Sequence, residues 1–313
     1  MRALLAVQVS AARLLTPQVR ELTLTSENGS LPGWSAGSHV QLHLRVGDRT
    51  LRNAYSLTGD PHDRHQYRIA VRLEPTSRGG SRYIHEQLAV GDRLDIAAPA
   101  NLFALHSPAS HHVLIAGGIG ITPFMAHIAA LQQRNASFEL HFAYRGGLSD
   151  AYLDTLRQRL GPHLFTYDAD QGQRLDLTSV LSNRALGTHV YTCGPSQLLE
   201  GVSTQAAQLG WPVSRVHWEA FNAAEPGLPF SLQLARSNRQ LQVGPHESLL
   251  ESLEAAGLEI PNLCRGGVCG QCVTRHLGGA IEHRDHFLGA ADQAEFLMPC
   301  VSRGCGTSLV LDL

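Results

Sequence analysis

The sequence predicts a multidomain chain of 313 residues: an antiparallel β-barrel, an α/β domain with a parallel sheet, and a small C-terminal domain built around a cysteine loop. Three observations carry this. From Val7 to about Leu105, short alternating runs (VRELTLTS, HVQLHLRV, YRIAVRLE, DRLDIAAP) are separated by Gly, Asp and Pro turns, the pattern of an antiparallel barrel or sandwich. From His111 to about Glu219, apolar runs are followed by longer helical stretches: HHVLIAG by PFMAHIAALQQR, FELHFAYR by DAYLDTLRQRL, and HVYTCG by PSQLLEGVSTQAAQLG. That alternation implies a parallel sheet flanked by helices. The third observation is CRGGVCGQC at 264–272, which holds three of the six cysteines. Between the second and third blocks, NAAEPGLPF at 222–230 has two prolines, a glycine and no periodicity, and reads as a linker or an ordered crossing segment. FSLQLARSNRQLQVGPHESLLESLEAAGLEI then reads as a hairpin and one helix leading into the cysteine loop.

Composition sets limits on function. With 43% hydrophobic and 17% charged residues the chain can bury real cores, and a net charge of −2 gives no electrostatic case for nucleic acid or an anionic membrane as partner. Gln8, Arg13 and Gln18 interrupt the apolar opening, so neither a signal peptide nor an anchor is expected. A cytoplasmic location follows, in which clustered cysteines serve metal or redox chemistry rather than disulfides. The seventeen histidines, among them His62, His65, His106, His111, His112 and His283, are scattered and lack a ligand spacing, which favours packing or solvated roles.

Cys264, Cys269 and Cys272 form C-x4-C-x2-C, and Cys300 follows in MPCVSRG. This is the spacing of a plant-type [2Fe-2S] loop, where three thiolates come from one tight turn and the fourth from a separate strand. Gly266, Gly267 and Gly270 suit that turn, because glycine reaches positive φ cheaply and lets backbone amides approach the sulfides. Structural zinc is the competing reading, but it usually pairs two short knuckles, and Cys300 and Cys305 are too far apart to make the second. Cys305 is expected to be a small buried residue near the last strand.

The middle block opens HHVLIAGGIGITPF, where an apolar strand runs into Gly117, Gly118 and Gly120, then Thr122, Pro123 and a helix. Such a turn offers bare amides to a phosphate, and Pro123 suits the first helical turn. A second strand-turn-helix, YTCGPSQLL, places Cys193, Gly194 and Pro195 at the same edge of the sheet, so the two turns point to one nucleotide crevice. In the first block, LRNAYSLTGDP offers Tyr55 and Ser56 on a strand, and Gly79, Gly80 and Ser81 precede a short helix where a phosphate is expected.

These elements, in this order and over essentially the whole chain, resemble the phthalate dioxygenase reductase family. The resemblance rests on GGIGITP, HVYTCGP, HWEAF, the GGSRYIH segment and the cysteine spacing. It implies an FMN-binding β-barrel over 1–107, an NAD-binding α/β domain over 108–223, a linker at 224–230 and a β-grasp-like [2Fe-2S] ferredoxin domain over 231–313. By the same resemblance Tyr55 and Ser56 contact the flavin ring, and Ala70, Val71 and Arg72 run along it. Gly79, Gly80 and Ser81 hold its phosphate, Thr122 lies near flavin and nicotinamide, Phe221 lies against the isoalloxazine, and Cys193, Gly194 and Pro195 turn beside the nicotinamide. One departure stands out: the family reads R-x-Y-S, whereas here Arg52-Asn53-Ala54-Tyr55-Ser56 puts asparagine at the arginine position. Arg52 alternates to the other face of the strand, which leaves Arg78 or Arg82 to supply the charge, and FAD stays open beside FMN.

The resemblance further implies a reductase component that takes hydride from NADH onto the flavin and passes electrons singly through the cluster to a terminal oxygenase, with a Rieske non-haem iron partner favoured. A cytochrome P450 or other redox protein, or a free-standing flavin or quinone reductase, are the alternatives. NADH is preferred over NADPH because FAYRGGLSD offers Arg145 alone and then Asp150. The loop rim, including Arg265 and Gln271, is where the partner is expected to dock.

Overall fold

Alternation of inward apolar and outward polar residues builds the first sheet. β1 (Leu4–Thr16), β2 (Val19–Ser26), β3 (Ser38–Val46), β4 (Arg49–Ser56), β5 (Gln66–Arg72), β6 (Arg93–Ala97) and β7 (Ala100–Asn101) pair antiparallel in the order β4-β3-β6-β1-β2-β5, with β7 on β3. A bridge between Leu57 and Ile69 brings the two ends of that order together, closing a barrel over Leu22, Leu24, Val40, Leu42, Leu44 and Tyr67. A short helix, α1 (Gly80–Glu86), lies between β5 and β6. The computed structural model describes residues 4–26, 29–47, 49–75, 79–221 and 225–313, without the side chains of Arg49 and Thr307. The chain divides into two compact units, Met1–Ala220 and Phe221–Leu313.

The first unit also holds a wholly parallel sheet. β8 (His111–Gly117), β9 (Phe138–Tyr144), β10 (Leu164–Asp168), β11 (Thr188–Cys193) and β12 (Val216–Glu219) run in the order β10-β9-β8-β11-β12. The helices between them are α2 (Thr122–Gln133), α3 (Leu153–Leu160), α4 (Leu177–Leu181) and α5 (Ser196–Gln208), which cover the two apolar faces of the sheet. β8 is buried almost throughout and β11 entirely, as central strands of such a sheet are. Barrel and parallel sheet meet through a small apolar cluster of Val19, Ala70 and Ala151, with Ile119 and Tyr152 packed on it. Beside it the Tyr152 hydroxyl donates to Glu21 Oε2 at 2.7 Å, giving the buried carboxylate a partner from the parallel-sheet domain, just before α3.

The second unit carries β13 (Phe230–Leu234), β14 (Arg239–Val243), α6 (Leu249–Ala255), β15 (Thr274–Glu282), β16 (Phe296–Leu297) and β17 (Arg303–Leu311), with sheet order β14-β13-β17-β15-β16. β13 and β14 form the expected hairpin, and α6 lays Leu249 and Leu253 onto the sheet. Ser248 and Glu251 close a capping box at its start, satisfying two amides that the first turn leaves unbonded. Residues 225–229 have no regular structure and are fastened to this unit: the Gly227 amide donates to Pro245 O, and Arg303 and Arg284 donate to the carbonyls of Leu228 and Glu225. Cys305 is exposed rather than buried: Arg303 and Gly304 are the buried residues at this end of β17, Gly304 lying against the Phe230 ring, while Cys305 and Gly306 are exposed.

One face of the parallel sheet is lined by stacked rings. Centroids of His106 and His189 lie 4.5 Å apart, His189 and His217 5.2 Å, and Tyr191 and His217 4.4 Å. A single hydrogen bond of 2.9 Å joins His189 Nδ1 to His217 Nε2, so with both rings neutral one supplies the N–H and the other the lone pair. Burial holds His127 and His189 down to about 4 and also lowers His112 and His217. The unfolded chain therefore takes up protons first as pH falls below about 6.5, and stability that is complete above that value is lost toward pH 4. Thermal unfolding followed from pH 7 to pH 4 is expected to show a falling midpoint, and His189→Gln to flatten the fall; a midpoint that rose over this interval would contradict the neutral stack.

Candidate redox-cofactor sites

Three groups of residues expected from the sequence occupy the first unit. On β4, Asn53 and Tyr55 share a face, and Asn53 Nδ2 donates to Tyr55 Oη at 3.2 Å. Burial pushes the Tyr55 phenol up to about 12, opposed by that bond. Arg52 lies on the other face, as alternation requires. Gly79, at φ 116, precedes α1, and Gly80 and Ser81 are buried. The Ser81 hydroxyl accepts from the Glu74 amide at 3.1 Å, which leaves its proton to be donated elsewhere. Ala70 and Val71 are buried, while Arg72 is exposed and ion-paired with Glu74. Arg78 lies outside the described residues, and Arg82 is exposed on α1.

The two glycine turns come into contact. Cys193 pairs with Ala116 in parallel register, so both turns leave the same carboxyl edge. A Cβ on Gly117 would lie 2.8 Å from Pro195 Cδ, one on Gly194 would lie 3.0 Å from Gly117 Cα, and one on Gly120 would collide with the Cys193 carbonyl. Only hydrogen at these positions permits the approach. Gly118 takes φ 53 in the short 3₁₀ turn that leads into α2, and Pro123 occupies the first turn of that helix. Thr122 is buried and its hydroxyl donates to Ile119 O at 3.0 Å, so it anchors the turn. The Cys193 side chain is part of the apolar core, with its thiol pushed well up by burial and by Glu219.

Glu219 was not foreseen. Standing at the carboxyl end of β12, it accepts from the Ser56 hydroxyl at 3.5 Å and so joins the barrel strand to the parallel sheet. The available signal was its place two residues before Phe221 in WEAF, on the same strand edge as the two glycine turns. Phe221 itself opens the second unit and is 45% exposed.

In the second unit the four expected cysteines fall into two pairs. Cys272 Sγ and Cys300 Sγ lie 3.3 Å apart, and both residues are buried. Cys264 bonds to Cys269, and together with the amides of Gly266, Val268 and Cys269 this lowers its thiol to about 5, while the Cys269 thiol is raised. The same effect between the other two sulfurs lowers Cys272 and raises Cys300. Two irons, each taking two thiolates, suit two pairs, whereas a single tetrahedral ion needs all four sulfurs to converge. The donor set therefore fits a [2Fe-2S] core.

Positive φ falls at Gly267 (76°), Gly270 (72°) and, unexpectedly, Arg265 (53°). Arg265 is not a docking residue: only 9% exposed, it forms a bidentate pair with Glu254 at 2.8 Å and bonds Asn262, which ties the loop to α6. Gln271 is exposed, and the Phe287 ring covers Gly270 with 52% of its own surface open.

Comparison with known proteins agrees with this arrangement. Residues 99–216 match the dimethylamine monooxygenase subunit DmmA-like N-terminal domain, and residues 232–306 match the 2Fe-2S iron-sulfur cluster binding domain. The chain is 61% identical to the heme-dependent oxidative N-demethylase beta subunit of Ectopseudomonas mendocina (strain ymp) over 100% of both chains. It is 44% identical to the carnitine monooxygenase reductase subunit of Escherichia coli (strain K12) over 98% of both. Among solved structures it superposes on phthalate dioxygenase reductase, described as a modular structure for electron transfer from pyridine nucleotides to [2Fe-2S], with a TM-score of 0.91 and 30% identity, covering 99% of this chain and 98% of that one.

Fold and sites together define an NAD(P)H-dependent flavin and iron-sulfur oxidoreductase in three domains. The chain belongs to the phthalate dioxygenase reductase family, the reductase components of oxygenase systems, and its partner is an oxygenase component. No helix among the described residues is long and apolar enough to cross a membrane.

Gly120→Ala is expected to lower the unfolding free energy by about 1–3 kcal/mol in a urea titration, the cost of forcing a methyl against a backbone carbonyl. An unchanged midpoint would mean that the two turns are not held in contact.

Proposed function

We propose that this chain is the reductase subunit of an oxygenase acting on N-methylated amines, moving electrons from NADH through FMN to a [2Fe-2S] cluster and on to a haem-dependent terminal component. The observation that carries this is 61% identity, over the whole of both chains, to the beta subunit of a heme-dependent oxidative N-demethylase. The dimethylamine monooxygenase match over 99–216 supports the same substrate class. When bound, FMN takes hydride from NADH and the cluster carries electrons one at a time.

The residues divide that work. Tyr55, Ser56 and the strand Ala70-Val71-Arg72 face the flavin ring, and Gly79, Gly80 and Ser81 receive its phosphate, with the Ser81 hydroxyl proton available to it. Gly117, Gly118 and Gly120 bare their amides to the pyrophosphate of NADH, while Thr122, Pro123 and the Cys193–Gly194–Pro195 turn fix the shape of that edge. Cys264 with Cys269 would hold one iron and Cys272 with Cys300 the other. The six cysteines are free of disulfides, in keeping with a cytoplasmic location.

NADH is the donor because the loop after β9 faces two carboxylates. Asp168 accepts from the Gly146 amide at 3.3 Å and Asp150 from that of Gly147 at 2.8 Å, against the single Arg145. A 2′-phosphate there meets like charge, and kcat/KM for NADH is expected to exceed that for NADPH by at least about tenfold, the ratio that ~1.4 kcal/mol supports. Equal use of both nucleotides would overturn the assignment.

A Rieske-type partner is the second reading, favoured by the likeness to phthalate dioxygenase reductase. Mixing the NADH-reduced protein anaerobically with a haem-dependent N-demethylase component, and separately with a Rieske oxygenase, decides between them. Reduction of the haem alone is expected; reduction of the Rieske centre alone would reverse the order. Gln271 and Phe287 at the loop rim are the contacts offered to that partner, and Phe287→Ala should slow its reduction while leaving NADH-dependent flavin reduction unchanged.

A further inference from the structure

The R-x-Y-S pattern is broken here by Asn53, and the local geometry gives that asparagine work of its own. Its side chain lies between two of the groups assigned to the flavin. On one side, Nδ2 donates to Tyr55 Oη at 3.2 Å. On the other, Asn53 presses against the first residue of α1: a Cβ on Gly80 would lie 2.6 Å from Nδ2 and 3.2 Å from Cγ. The two residues are two apart on β4, so their side chains share the face. The amide is thus held in one plane by a phenol and by a backbone that comes close only because residue 80 is glycine.

A phenol has one proton and lone pairs to accept with. The Asn53 amide occupies an accepting position of Tyr55 Oη, so the Tyr55 proton must be directed away from Asn53. No described residue accepts it. We propose that Asn53 is a positioning residue that holds the Tyr55 hydroxyl as a hydrogen-bond donor toward the bound flavin. The inference rests on the reading that FMN lies against Tyr55. Because Asn53 carries no charge, its contribution is directional: it acts through Tyr55 and is not a substitute for a missing cation. An arginine at this position would attract the phosphate at any orientation of the phenol, whereas asparagine has no effect on the flavin that bypasses Tyr55.

A double-mutant cycle on FMN affinity tests this. Flavin is removed from the full-length protein and FMN is titrated back by quenching of its fluorescence, in the parent, Asn53→Ala, Tyr55→Phe and the double variant, at low and high salt. Loss of one oriented hydrogen bond predicts about tenfold weaker FMN binding for Asn53→Ala when Tyr55 is present, and less than about twofold in the Tyr55→Phe background. The loss should be the same at both salt concentrations, since no charge is removed. If Asn53→Ala weakens FMN equally in both backgrounds, Asn53 only packs and the proposal is overturned, while the flavin reading stands on the effect of Tyr55→Phe. If Tyr55→Phe itself leaves affinity unchanged, the flavin is not at Tyr55 and both fall. Asn53→Val, which carries no side-chain donor and suits a strand, replaces alanine in the cycle if the alanine variant does not fold.

Discussion

Bringing two ionisable sulfurs within contact, twice, is the constraint around which the second unit is organised. A thiolate beside another thiol is tolerable only where amides and shared protons spread its charge, and the loop supplies amides from Gly266, Val268 and Cys269 to Cys264. To turn those amides inward the backbone adopts positive φ at Arg265, Gly267 and Gly270. Arg265 is not glycine, and the strain of its conformation is offset by a bidentate pair with Glu254 that also anchors the loop to α6. Gly267 packs with Val301 and Gly270 with Phe287, so the loop is enclosed on both sides while one aromatic face stays open.

The first unit meets a different demand, that a barrel and a parallel sheet present their binding edges to each other without clash. Within the parallel sheet the two glycine turns approach closely, with Gly117 and Gly194 in backbone contact. Hydrogen bonds tie that domain to the barrel, where Ser56 reaches Glu219 and Tyr152, at the start of α3, reaches Glu21. Tyr152 takes φ 66 at the start of α3, a conformation that β-carbon-bearing residues adopt at a cost, and its hydroxyl is buried against the barrel. His189 and His217 behind the parallel sheet follow the same rule: their rings pack face to face where burial disfavours the charged form.

Much of this was legible in the chain. Period-two runs such as HVQLHLRV became β3 with buried Val40, Leu42 and Leu44, and the apolar strand HHVLIAG became the buried β8. The cysteine spacing gave the loop and its returning strand, because ligand geometry constrains local sequence tightly. What escaped reading depended on contacts between distant segments. Arg265 in a glycine-rich loop looks solvent-facing, and only Glu254 on α6 makes its burial affordable. Glu219 has no local motif, and its meaning comes from Ser56, 163 residues away. The exposure of Cys305 follows from burial of its neighbours Arg303 and Gly304, the latter against Phe230 on another strand, which local hydropathy does not signal.

That the four thiols hold a two-iron core rather than a single metal ion is the central claim, and elemental analysis of the purified full-length chain addresses it most directly. About two irons and two acid-labile sulfides per chain are expected, one iron for each cysteine pair. One metal ion per chain without sulfide, zinc above all, would contradict the account.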